Sequence, residues 1–222
     1  MGLEQTRMTS KQQHLEQVIQ NLKIGDIILV RSRQGVISRL IRFASASYWT
    51  HVALVFDVPQ YLNEGVGLDE VLIAETDVGV QMSVHRLQSY LLQSDRYELG
   101  IKRMPGLSDE ERERFRGLFL GALDTPYDVL RVFIFFIKTL VAWITGINVS
   151  FKAAQQLIKT RQLVCTTFAQ RSYYLAVAPH KRRRVIFRGH ENKLGFLEQM
   201  ESITPGDIAR SRNTIWLHNP HS

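Results

Sequence analysis

Residues 50–58 read THVALVFDV, and this stretch decides the fold. Val52, Ala53, Leu54, Val55 and Phe56 are consecutive and apolar, so an extended chain here is apolar on both faces. Such a strand belongs in the middle of a sheet with both faces covered. His51 stands at its start and faces the same way as Ala53 and Val55. An imidazole fixed in a buried strand is either a satisfied core group or a rigidly held base.

Other elements fall into place on either side of this strand. Residues 3–22 are polar, with Leu15, Val18, Ile19 and Leu22 at helical spacing, which predicts a helix docked lightly on the core. IGDIILVR, opened by Gly25 and Asp26, predicts a strand. GVISRLIRFAS predicts a helix with Ile37, Leu40, Ile41 and Ala44 on one stripe. YLNEGVGLD is a loop, EVLIAET a strand, DVG a turn and VQMSV the hairpin partner, with His85 opening a helix after it. RYELGIKRM is a further strand. Ser108 followed by Glu111 forms a capping box and opens a helix over 109–123. Pro126 ends it. ITPGDIARS and NTIWLHN read as short late strands. A helix, several strands and then helices define an α+β chain.

The segment VLRVFIFFIKTLVAWITGINV, 129–149, is the most hydrophobic of the chain. As a helix it would reach about 30 Å, the thickness of a bilayer core. Arg131 and Lys138 stand inside it, and central charges are costly in lipid. A buried helix or apolar lid is expected ahead of an interfacial helix, and that ahead of a span.

Composition narrows the class. The 222 residues suffice for one domain with a sizeable core. Cys165 is the single cysteine, which excludes an internal disulfide framework and a cysteine-rich zinc site. No histidine–carboxylate spacing suggests a metal, so no cofactor is expected. The N-terminus is too polar for a cleaved signal peptide, which leads us to expect a cytoplasmic or membrane-peripheral protein. The net charge is +7, part of it in HKRRRVIFR, 180–188. That run reads as a solvated face or as an attractor of anionic headgroups. No nucleic-acid-binding signature accompanies it.

Cys165 lies in RQLVCTTFAQRSYYLA, 161–176, where a helix opens with Phe168, Ser172 and Leu175 on a stripe. A helix start offers backbone N–H groups to an anion. The thiol is therefore a core filler or a nucleophile, and a nucleophile needs a base that is itself oriented. Among seven histidines only His51 lies on a strand that must be buried. Glu75, ending the next strand, can reach the far nitrogen of His51 if the two strands are neighbours. Asp77 and His85 compete with it for that role.

Taken in order, GDIILVRS, ISRLIRFASASYWTHVALVF, AETDVGVQ, DTPYD, LVCTTFAQ and TPGDIARS resemble the circularly permuted NlpC-type papain-like hydrolases. That group includes the relatives of lecithin–retinol acyltransferase and the YiiX-like bacterial proteins. The resemblance covers about residues 24–210, in patches. It implies a permuted papain-like fold, with a central antiparallel sheet packed against helices. In that fold the histidine strand precedes the cysteine helix, as His51 precedes Cys165 here. It implies Cys165 as nucleophile, His51 as base and Glu75 as the polar third residue, the position that varies most in the group. Tyr127 matches a turn that lines the site. The chain departs from the simplest members by an N-terminal helical extension, 1–23. A second departure is an apolar helical insertion, 129–160, within one catalytic domain over 24–222.

The reaction expected is acyl transfer through a cysteine acyl-enzyme. A lipid ester or amide, phospholipid-like, is the first substrate class. The apolar 129–149 segment and the basic residues 181–184 would supply peripheral membrane association. Cell-wall peptides or isopeptide bonds are the second class. A binding protein with Cys165 in its core is the third reading.

Overall fold

The structure, a computed structural model, describes residues 10–35, 38–39, 42, 47–58, 70–76, 82–122, 165–185, 187 and 203–221. The expectations for 129–149 and the 129–160 insertion, and those for Asp77, Pro126 and Tyr127, lie outside these residues.

Six strands form one antiparallel sheet. In chain order they are β1 (Ile27–Ser32), β2 (His51–Asp57), β3 (Leu72–Thr76), β4 (Met82–Arg86), β5 (Tyr97–Arg103) and β6 (Ile215–His218). Across the sheet the order is β4-β3-β2-β1-β5-β6. The strand 51–57 is thus interior, as its two apolar faces require, and Val52, Ala53, Leu54 and Val55 are each at most 1% exposed. Helices α1 (Ser10–Gln20), α2 (Gln88–Leu91), α3 (Asp109–Ala122), α4 (residues 165–176) and α5 (Pro205–Arg210) complete the described frame. A 3-10 helix, Pro179–Val185, follows α4. The architecture is α+β.

Strand alternation divides the core into two layers. On one face Ala53, Val55 and Ile73 pack with Ile19 and Leu22 from the α1 segment and with Leu87. The N-terminal helix is therefore docked by fully buried side chains, more firmly than its polar composition suggests. On the other face Leu29, Val52 and Leu54 pack with Phe115 and Phe119 of α3 and with Ala169 and Tyr173 of α4. Gly100 of β5 lies on this second face beneath two indoles. A Cβ there would stand 2.6 Å from Trp49 and 2.9 Å from Trp216, so only glycine fits without repacking. Gly25 has φ +83°, the left-handed region, and turns the chain into β1. Its carbonyl accepts from the Tyr173 hydroxyl.

Three local expectations are corrected. ITPGDIARS forms helix α5 rather than a strand. Thr204 accepts from the Asp207 N–H, the Asp207 carboxylate accepts from the Thr204 N–H, and Pro205 sits in the first turn. That is a complete capping box, which outweighs strand propensity. His85 lies within β4, not at a helix start, and α2 begins only at Gln88. On α4 the buried line is Cys165, Ala169, Tyr173 and Ala176, whereas Leu175 is 54% exposed. Of the expected stripe, Ser172 is buried and Phe168 packs against the core, and Leu175 alone falls on the exposed side.

Candidate active site

Strand polarity gives the sheet two distinct ends. One end carries Ser32, His51, Thr76, Met82 and Tyr97, and the other carries Ile27, Asp57, Leu72, Arg86 and Arg103. His51 opens β2 at the first of these, opposite Val30 of β1. In the β2–β3 ladder Leu54 pairs with Ala74. Continuing that register by one residue puts Glu75 opposite Ala53 and makes it a diagonal neighbour of His51 on the same face. Long side chains can meet across such a diagonal. They do: His51 Nε2 is 2.8 Å from Glu75 Oε2.

The same geometry repeats on the other side of β3. His85 pairs with Ile73 and Ser83 with Glu75, so His85 is the second diagonal neighbour of Glu75. Its Nε2 lies 3.2 Å from Glu75 Oε1. From α2, the Tyr90 hydroxyl donates to both carboxylate oxygens, at 3.1 and 2.9 Å. Glu75 is 5% exposed and has three neighbours for its charge. Burial works against that charge, but the hydrogen bond and field of His51, the field of His85 and the Tyr90 hydroxyl hold the carboxyl below its ordinary range. Glu75 is thus an ionised acceptor, and His51 must donate to it from Nε2. That fixes the tautomer of the neutral ring and leaves Nδ1 as the nitrogen available to another group.

Cys165 meets His51 at this point. It is the first described residue of α4, one turn before Ala169, and is 5% exposed. Burial disfavours a charged His51. The negative charge and hydrogen bond offered by the Cys165 sulfur, joined by those of Glu75, outweigh it and hold the imidazolium well above the ordinary histidine range. His51 therefore stands in contact with both the Cys165 sulfur and the Glu75 carboxylate. A cation stabilised between a sulfur and a carboxylate can hold a proton beside the sulfur and later give it up. Thr166, next along α4, anchors the helix through a 2.8 Å hydrogen bond from its hydroxyl to Ile203 O.

The sequence reading singled out His51, Glu75 and Cys165, which the structure brings together, and treated Asp77 and His85 as rivals to Glu75. The structure makes His85 a partner of Glu75. Tyr90 was missed, although a period-two reading of β4 would have put His85 on the Glu75 face. Among the described residues no group of three His, Cys, Asp or Glu side chains is placed to hold a metal ion.

No family model matches the chain. No curated protein matches it either. Among solved structures the chain is similar to the metalloprotein YiiX of Escherichia coli O157:H7. The two are 14% identical over 87% of this chain and 95% of that one, with a TM-score of 0.49.

Proposed function

We propose that the chain is a thiol-dependent acyl hydrolase or acyltransferase with a permuted papain-like fold, acting on phospholipid-like esters or amides. The observation that carries this reading is the placement of His51 between the Cys165 sulfur and the Glu75 carboxylate.

In the proposed reaction the Cys165 thiolate attacks the acyl carbonyl carbon and a C–S bond forms. The carbonyl electron pair moves onto oxygen, where the backbone N–H of Cys165 helps to hold it. His51 gives its proton to the leaving oxygen or nitrogen, and that bond to the acyl carbon breaks. A thioester remains on Cys165. Neutral His51 then takes a proton from water or another acceptor, which attacks the thioester and releases the thiolate. Glu75 keeps His51 in the required tautomer and stabilises its cationic form.

Support for a lipid comes from sequence. Residues 129–149 are the most apolar of the chain and precede the nucleophile. Among the described residues no helix is long and apolar enough to cross a membrane.

Wild type and Cys165→Ala, incubated with phosphatidylglycerol vesicles, test the proposal. Mass spectrometry should find lysolipid and free fatty acid with wild type alone. Equal product from both proteins would remove the cysteine from the chemistry. Product from wall peptides but not from vesicles would reassign the substrate.

A further inference from the structure

Two basic regions flank α4, and they lie at opposite ends of it. The run Lys181–Arg184 follows the C-terminal end of α4. Lys181 is held by Glu111 at 2.8 Å and by Gly106 O at 2.9 Å, and Arg182 stacks over Tyr174. Tyr173, near that end, reaches Gly25 before β1. The run therefore sits at the end of the sheet away from His51. The 12 residues of α4 separate it from Cys165 by about 18 Å.

The end that holds His51 has its own cations. Between Asp26 and Asp57 the chain carries Arg31, Arg33, Arg39 and Arg42 and no acidic residue. Arg31 follows Val30, the partner of His51 in the ladder. It shares strand parity with Leu29, so it points to the face on which α4 packs. Tyr48 also packs on that face, and the Arg31 guanidinium lies 4.0 Å from the centre of its ring. One carboxylate answers Arg31 and Arg33. Glu98, opposite Arg31 on β5, lies 3.3 Å from Arg31 Nη1 and 3.5 Å from Arg33 Nη2. It also accepts from the Tyr48 hydroxyl at 2.8 Å. Arg31 donates to that hydroxyl too, through Nη1. Arg31 Nε is buried and makes no hydrogen bond. A guanidinium has five N–H donors, and the bonds from Arg31 to Glu98 and Tyr48 use Nη1 alone. The cluster thus keeps positive charge and directed donors at the His51 end of the sheet, on the face on which α4 packs.

We propose that Arg31, backed by Arg33 and oriented by Tyr48 and Glu98, is an anion-binding subsite that receives a phosphate group borne by the acyl substrate. This rests on the acyl-transfer reading and deepens it. The substrate class becomes acyl esters or amides with a phosphate beside the scissile bond, and selection falls to Arg31 rather than to the 181–184 run. A planar fork with free donors suits phosphate oxygens, which a lone ammonium meets only as a point charge.

The test uses Cys165 as its own reporter. Alkylation by anionic iodoacetate and by neutral iodoacetamide is timed in wild type, Arg31→Gln and Arg31→Lys. The iodoacetate-to-iodoacetamide rate ratio is divided by that of a free peptide thiol. Wild type should exceed unity by about tenfold, the lower end of the scale on which local positive charge concentrates anions. Arg31→Gln should bring the ratio down towards unity, and Arg31→Lys should retain part of it, showing that the fold survives substitution at this position. Raising salt from about 20 mM to about 500 mM should shrink the wild-type ratio as the Debye length contracts. Short-chain phosphatidylglycerol should slow alkylation of wild type more than of Arg31→Gln. Protection by inorganic phosphate as well would assign the subsite to the phosphate group itself, and protection by the lipid alone to the esterified headgroup. A ratio equal in wild type and Arg31→Gln would overturn the subsite and leave the acyl-transfer reading standing. A thiol inert to both reagents would overturn the acyl-transfer reading, and the subsite with it.

Discussion

The two ends of the sheet are built from the same residue types and do different work. At the end away from His51, charges close on one another. Asp26, fully buried, accepts from Arg103 Nε at 2.7 Å and Nη2 at 2.6 Å and from the Lys23 N–H. Glu111 accepts from the Ser108 and Ala178 N–H groups and from Lys181. At the His51 end, Glu75 is shared by two histidines and a tyrosine, and Glu98 by two arginines, a tyrosine and, at 4.0 Å, His221. Around Glu98 the donors outnumber the acceptors. Satisfied pairs hold a fold together, and the leftover capacity at one end is what the proposed anion subsite rests on.

The sharpest way to break this contrast is to remove groups at the His51 end. Cys165→Ala should abolish acyl transfer with little change in melting temperature. His51→Ala should cost about 10²–10⁴-fold in kcat/KM, the usual share of a general acid–base. Glu75→Gln should cost less and change the pH profile. The proposed acid form of His51 is held well above its ordinary range, first against burial and then by Cys165 and Glu75. Its alkaline limb should therefore lie high in wild type. With the carboxylate gone the limb should move to lower pH, and a limb that does not move would deny Glu75 its role.

At the opposite end the expected effects are on stability. Burial works against an ionised Glu111, but the Ala178 N–H, Lys181 and the Ser108 N–H push its carboxyl down to about 2. A depressed carboxyl stabilises the fold above its unfolded value of 4.5 and loses that contribution as pH falls towards 2. Glu111→Gln should cost about 3 kcal/mol at neutral pH by denaturant titration, and less in acid, with turnover of the folded protein unchanged. Gly100→Ala should cost about 1–3 kcal/mol by forcing Trp49 and Trp216 apart. The smallest effect is expected on the basic run. Arg183→Glu with Arg184→Glu should leave Cys165 alkylation within about twofold, since a Debye length is shorter than α4. A large change there would erase the distinction between the two ends.

Much of this was legible in the sequence, for physical reasons that differ by element. The interior placement of β2 followed from five consecutive apolar residues, and the Ser108–Glu111 capping box from a three-residue spacing that local geometry enforces. The His51–Glu75 contact was legible because both ends of the pair lay on strands whose adjacency could be guessed. Helix α5 was misread because its signal was a cap, Thr204 with Asp207, and not an apolar period. The exposed Leu175 was misread because Tyr173 and Ala169, not the largest aliphatic residue, face the sheet. The Arg31–Tyr48–Glu98 cluster joins residues up to 67 positions apart through the β1–β5 register, which no local pattern announces.

The most direct test of the central claim is the pH dependence of Cys165 alkylation by iodoacetamide in wild type and His51→Ala. The account predicts two different profiles, with wild type alkylated faster than His51→Ala at neutral pH, because His51 touches both the Cys165 sulfur and the Glu75 carboxylate. Superimposable profiles for the two proteins would contradict it and return Cys165 to the core.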